Sequence, residues 1–386
     1  MAETAKRYPH ETEAVGGTAA DRARNAALLG GYEYERYVEA LTGYTGQDLQ
    51  RVGFVAWKPA VRVRVGDRGN YKAGMIQRKD GGLVAAVCRD NNDPDRAKRR
   101  FGIFVYESAD RGESWREIGE TPLYGKEPML VGLPSGRLVM TAQGGVVGAG
   151  GERKPDEQTL AWSDDGGRSW TSSVYRSWDY PRQAVVEEDG GLLVVTAKKP
   201  EWGGEPNGSS HLQLGRSRDG GETWEFSEGR IDWDYTWFGE VGAVRLRDGR
   251  LLAALRRQLP ETTGEGFEDT VITESTDGGR TWARPWSLTG NAHVHAYLTE
   301  LRDGRLLCTY SNYHVPFGVS AIVSEDGGRT WDRDRTIRLH TSNGYWVGWA
   351  VTLELKGGEL ITSYAATTYR EEAPRHVTCE AVRWRL

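Results

Sequence analysis

Six positions in this chain recur at intervals of 53 to 59 residues and gather charged and aromatic side chains. Nine residues before a recurring glycine turn stand Lys72, Glu127, Pro181, Glu240, His295 and Gly348. Beside them lie Tyr71, Tyr180, Arg182, Phe238, His293, Tyr345 and Trp346. Seven or eight residues after the same glycines come Arg89, Gln143, Lys198, Arg256, Arg257, Asn312 and Ala365, with Asp90, Tyr313 and His314 just beyond. If these strand ends converge, Lys72, Arg89, Arg182, Lys198 and Arg256 form a positive pocket. Arginine pairs bidentately with carboxylates, so such a pocket favours a carboxylate-bearing ligand. The competing reading is that each base pairs with a neighbouring Asp or Glu.

The stretch NAHVHAYL sets His293 and His295 two apart, hence on one side of a strand. Tyr313 and His314 end the partner strand. No carboxylate-rich ligand spacing accompanies these histidines, so a metal site is not expected. They suit general acid–base work. A His/Tyr pair beside an arginine could remove a proton next to a carboxylate while the arginine stabilises the anion that develops. Histidines that only hydrogen-bond hydroxyls or a core partner are the alternative.

The elements that must position these residues are also repetitive. Six segments read strand, glycine turn, strand, with turns at Gly81, Gly136, Gly190, Gly249, Gly304 and Gly357. Short apolar runs on either side of D-G or G-G predict hairpins. Interleaved with them is a second pattern, Ser-x-Asp-x-Gly-x-Ser/Thr-Trp, starting at Ser108, Ser163, Ser217, Ser275 and Ser324. Its Asp can accept turn N–H groups, its Gly frees the backbone, and its Trp can pack between strands. Two hairpins per unit make about four strands, the size of a propeller blade.

The eight-residue pattern resembles the Asp box of the sialidase superfamily, and the resemblance covers roughly residues 60 to 386. It implies an all-β fold, a six-bladed β-propeller of four-stranded antiparallel blades, with its site on the axis. It does not by itself imply sialidase activity; joined to the positive pocket, it favours a sialidase-like, exo-acting glycoside hydrolase on an acidic sugar, such as a sialic or uronic acid. The family contains polysaccharide lyases and binding modules too, so a uronate lyase using His/Tyr and Arg, or a non-catalytic glycan-binding propeller, remains open. The family's first carboxylate-binding Arg sits in an F-R-I-P motif. Here the stretch is NYKAGM, and Lys72 or Tyr71 takes that place. FGEVGAVRLRDGRLLAALRR matches the family's Glu and following Arg, giving Glu240 and Arg256 (or Arg257). NGYWVGW keeps Gly344 and Tyr345 of the motif that carries the nucleophilic tyrosine. Asp90, or Asp93, is nearest to the acid/base Asp. A phenol needs a base such as Glu240 to become a nucleophile. On this reading Tyr345, Glu240, Asp90 and His295 do chemistry. Lys72, Arg89, Glu127, Arg182, Lys198, Arg256, His293, Tyr313, His314 and Trp346 bind substrate.

Composition sets the remaining bounds. The net charge of −5 argues against non-specific nucleic-acid binding. No apolar run reaches membrane-spanning length. The N-terminus lacks the apolar core of a secretory signal, so a cytoplasmic location is expected unless a leader has been removed. Cys88, Cys308 and Cys379 give neither a disulfide framework nor a metal spacing and are expected to be buried thiols. No cofactor is expected. Residues 1–50 read as a partly helical or disordered extension, which could mediate homo-oligomer contacts, and 51–386 as the propeller. The strand-like 60–66 and the C-terminal HVTCEAVRWRL should share one blade and close the ring.

Overall fold

The computed structural model describes residues 56–57, 61–66, 70–90, 101–143, 157–176, 182–197, 211–231, 238–259, 267–290, 292–313, 317–342, 347–368 and 376–386. The extension at 1–50, with its proposed role in oligomer contacts, lies outside them. Every regular element among the described residues is a strand, and the strands form six sheets of four or five. Each sheet is one blade of a propeller. The innermost strands are Asn70–Gln77, Lys126–Gly132, Ala184–Val186, Phe238–Arg245, His293–Glu300 and Gly348–Glu354, in blades 1 to 6. Each packs against the next, and the sixth packs against the first, so the ring is closed.

The closure is the one expected from the termini. Val61–Arg64 pairs antiparallel with the C-terminal strand His376–Trp384 and becomes the outer strand of blade 6. Chain ends far apart in sequence thus hold one sheet together, which locks a ring that would otherwise leave an open edge.

The six turn glycines all adopt left-handed φ values, between 83° and 99°. A side chain would be strained there, which is why glycine punctuates every inner hairpin. The Asp boxes lie on the turns between the third and fourth strands of blades 1 to 5. Since strands alternate in direction, these turns share a face with the glycine turns. In blade 3 the Ser217 hydroxyl donates to Asp219 Oδ1 at 2.8 Å and accepts Gly221 N–H at 2.8 Å. Asp219 Oδ1 also accepts Thr223 N–H at 2.9 Å, and Oδ2 accepts the Thr223 hydroxyl at 2.5 Å. Burial pushes the carboxyls of Asp219, Asp277 and Asp326 up, but hydrogen bonds of this kind outweigh it and hold them, like Asp110, down at about 2.

Six apolar clusters fill the six joints between blades. Each box tryptophan enters the joint with the preceding blade: Trp115 joins blades 6 and 1, Trp170 blades 1 and 2, Trp224 blades 2 and 3, Trp282 blades 3 and 4, Trp331 blades 4 and 5. Blade 6 carries no box, and the joint between blades 5 and 6 is filled instead by Trp384 of the closing strand. Cys88, Cys308 and Cys379 are buried free thiols.

Candidate active site

A twisted blade turns its side chains toward its two neighbours, not toward the ring axis. Something must re-aim them. In blades 1, 2, 4, 5 and 6 the inner strand carries a register shift against its partner, at Lys72, Glu127, Glu240, His295 and Trp349. All five residues are left-handed, with φ of 53°, 53°, 37°, 56° and 51°. A bulge inserts one extra residue and redirects its side chain. Left-handed backbone at non-glycine positions costs roughly 1 kcal/mol or more each and clusters at functional sites. Blade 3 contributes Arg182, which precedes its short inner strand.

These six residues form one annulus, one from each blade. Lys72 Nζ donates to Glu127 Oε1. Arg182 Nε lies 3.9 Å from Glu127 Oε2, and its Nη1 lies 3.9 Å from Glu240 Oε2. His295 Nε2 lies 2.9 Å from Glu240 Oε2. The His295 ring stacks on Trp349 at 4.5 Å, and Lys72 Nζ sits 3.7 Å from the centre of the same indole. Arg256 reaches in from the second strand of blade 4, with Nη1 3.4 Å from Glu240 Oε1. Tyr313 OH and Ser311 Oγ lie 3.2 and 2.9 Å from His295 Nδ1.

The electrostatics follow from this packing. Burial pushes the Glu240 carboxyl up, but His295, Arg256 and Arg182 outweigh it and hold it well below the usual carboxylate range. Burial holds the His295 imidazole below its ordinary value, against the pull of Glu240. The ring is therefore neutral near neutral pH. The 2.9 Å approach of Nε2 to an ionised carboxylate favours the tautomer with its proton there, although the N–H is not aligned on Oε2, and leaves Nδ1 to accept from Ser311 or Tyr313. Burial works against the Lys72 ammonium, yet Glu127, Tyr71 and Glu240 raise its pKa overall. Tyr71, beside it, is pushed up to about 12 by burial.

Among the described residues Lys72, Arg182 and Arg256 gather around two carboxylates, Glu127 and Glu240. Arg182 is only 2% exposed, and none of its guanidinium nitrogens makes a hydrogen bond among the described residues. Buried donors are rarely left so.

No family model matches the chain. A curated sialidase of Micromonospora viridifaciens is 25% identical over 237 residues, which is 54% of this chain and 36% of that protein. The chain thus matches little more than a third of that relative's length. Five Asp boxes, six blades and this relative together decide the family. The chain belongs to the sialidase-like propeller superfamily.

Among solved folds, this sialidase-like propeller superposes on a protein of unknown function from Dyadobacter fermentans with a TM-score of 0.64 and 19% identity, over 85% of this chain and 99% of that one. It superposes on the Penicillium chrysogenum alpha-L-arabinanase, solved with arabinobiose, with a TM-score of 0.57 and 15% identity, over 84% of this chain and 98% of that one. Both likenesses are of fold.

Of the residues singled out from sequence, the propeller brings together Lys72, Glu127, Arg182, Glu240, Arg256, His295 and Tyr313. Arg257 pairs with Asp269 instead, at 2.7 Å through Nε, so Arg256 is the arginine of the site. Arg89 departs from expectation. It donates to Asn70 Oδ1 at 2.9 Å and Tyr106 OH at 3.0 Å and stacks on Phe104. In register it matches Arg257 rather than Arg256, so the alternation of the strand turns it along blade 1 rather than to the axis. His293 departs as well. The bulge at His295 breaks the alternation, so His293 packs on Tyr310 at 5.0 Å while His295 packs on Trp349. The expected open positive pocket is instead a cluster in which Lys72 and Arg256 already face carboxylates. Lys198, His314, Tyr345 and Trp346, and the side chain of Asp90, lie outside the described residues.

Sequence counting missed Trp349. Blade 6 has two adjacent turn glycines, Gly357 and Gly358, and the count of nine fits the second. In blade 3 the turn glycine is Gly190, as its hydrogen bonds show, so Arg182 stands one residue nearer the turn than the count of nine.

Proposed function

We propose that the axial cluster is the substrate site of a glycoside hydrolase acting on a carboxylate-bearing sugar. The observation that carries this reading is Arg182, a buried guanidinium that makes no hydrogen bond among the described residues. A sugar carboxylate would supply acceptors for it, with Arg256 as second partner. Glu240 is ionised in the resting site, as a base that is to take a proton must be. The superfamily resemblance adds Tyr345 as nucleophile, Glu240 as the base that takes its proton, and Asp90 as the acid that protonates the leaving oxygen. The sialidase relative supports an acidic sugar; the arabinanase fold likeness supports glycoside hydrolysis in general.

The test is a panel of chromogenic glycosides of sialic acid, glucuronic acid and arabinose. The acidic substrates should be cleaved in preference. Arg256→Ala should weaken an acidic ligand by about 2–5 kcal/mol and a neutral one far less. Equal cleavage of the arabinoside, or equal loss on both ligands, overturns the acidic-sugar reading.

One observation favours a second reading. Tyr313 OH is within hydrogen-bond reach of His295 Nδ1. Such a pair could take the proton beside a uronate carboxylate while the glycosidic oxygen leaves with a proton and a C=C bond forms. That product absorbs in the near ultraviolet, and a hydrolysis product does not. A purely glycan-binding propeller yields neither product.

A further inference from the structure

The annulus closes through one aromatic residue. Going round the axis, Lys72, Glu127, Arg182, Glu240 and His295 are linked by charge. Among the described residues, the gap between His295 of blade 5 and Lys72 of blade 1 is spanned by the Trp349 indole. One face of the indole carries the His295 ring, nearly parallel at 24°. The Lys72 ammonium sits over the indole at 3.7 Å, a cation–π distance. The Trp349 backbone is tied to the same histidine. Its N–H donates to Ser311 Oγ at 3.1 Å, and that hydroxyl reaches His295 Nδ1 at 2.9 Å. Trp349 is 4% exposed and left-handed like the other bulged residues.

We infer that Trp349 is a positioning residue of the site: its indole, between Lys72 and His295, closes the annulus and holds the imidazole with Nε2 against Glu240. The functional weight of this assignment rests on the axial cluster being the substrate site; its structural content does not. The argument is geometric. A five-membered ring held only by Glu240, Ser311 and Tyr313 can tilt about the line of those contacts. A stacked indole removes that freedom and excludes water from one side. It also lets the Lys72 ammonium act on a histidine it does not touch. The groups that face His295 are Glu240 and Arg256 from blade 4, Arg182 from blade 3, Ser311 and Tyr313 from blade 5, and Lys72 beyond the indole.

The test needs no substrate, so its failure is distinct from failure of the hydrolase reading. Histidine ring signals are followed by NMR through a pH titration, with His295 assigned from its loss in His295→Gln. Wild type and Trp349→Phe, which keeps a stacking ring, should share the signature of the neutral Nε2–H tautomer down to about pH 6. In Trp349→Leu the tautomer signature should blur, and the midpoint should rise by about one pH unit as water enters. A Trp349→Leu protein with the wild-type His295 signature overturns the assignment, as does a Trp349→Phe protein that behaves like the leucine variant. Lys72→Met tests the same coupling in case Trp349→Leu does not fold. The His295 signal should move although Lys72 makes no direct contact with it, and an unmoved signal overturns the inference.

Discussion

His295 Nε2 lies 2.9 Å from Glu240 Oε2, joining two bulged, left-handed residues from adjacent blades. Neither partner is stable in this place alone. The carboxylate is buried and needs donors; the imidazole is buried and needs an acceptor. Arg256 and Arg182 add charge that keeps the carboxylate ionised. The pair is thus the electrostatic centre of the annulus, and each prediction about the site turns on it.

Removing Glu240 should be costly. In Glu240→Ala, Arg182 and Arg256 lose their shared counter-charge inside the protein, so stability should fall by about 3–5 kcal/mol. Glu240→Gln keeps the shape and can still accept the His295 N–H, so it should lose only about 1–3 kcal/mol. Urea unfolding of both variants measures this. A Glu240→Ala protein as stable as wild type would show that the annulus is not a coupled network.

Stability should fall with acid in two steps. His295 and Glu240 both have folded pKa values below their ordinary 6.5 and 4.5. A depressed group stabilises fully above its unfolded value and loses that stabilisation as pH falls through its folded one. The first loss should therefore begin below about pH 6.5 and the second below about pH 4.5, where the exposed box aspartates join it. Urea midpoints at pH 8, 5.5 and 4 follow the two steps. The buried His340, held down to about 4 by burial, contributes over the same range, so His295→Gln should reduce the change between pH 8 and 5.5 without abolishing it; an unreduced profile assigns that step to another group.

The Asp boxes should be purely structural. Asp219 holds a turn on the face opposite the annulus, so Asp219→Ala should destabilise by about 1–2 kcal/mol, by analogy with lost caps. Affinity for an acidic sugar should be unchanged at temperatures where the variant is folded. Calorimetry and titration of one preparation give both numbers, and lost affinity with intact stability would contradict the structural role.

Two glycines of blade 6 should respond unequally to alanine. At Gly357, φ is 92° and the space is open, so only backbone strain of about 1 kcal/mol is expected. At Gly348, φ is 116° and an added Cβ would overlap Ser311, the residue that anchors His295. Gly348→Ala should therefore lower the melting temperature further than Gly357→Ala and should also disturb the His295 signal. Equal melting temperatures would mean that blades 5 and 6 can separate at little cost.

Sequence alone determined the repeat, the blade count and the closure. Glycine turns and Asp boxes are local devices, and each carries its own geometry wherever it stands. The same counting found Lys72, Glu127, Glu240 and His295, because a fixed number of residues from turn to strand end puts equivalent residues at equivalent places. Only the tertiary structure decided which side chains reach the axis. That choice depends on bulges, and a bulge follows from the register between two strands and from the pressure of the next blade, neither of which a single segment encodes. Hence Arg89, at a well-counted strand end, lies along its blade, and His293 is turned away from His295 by one inserted residue. Trp349 went unnoticed because one extra turn glycine shifts the count in blade 6. Its place between Lys72 and His295 exists only once the ring has closed and brought the first blade against the last.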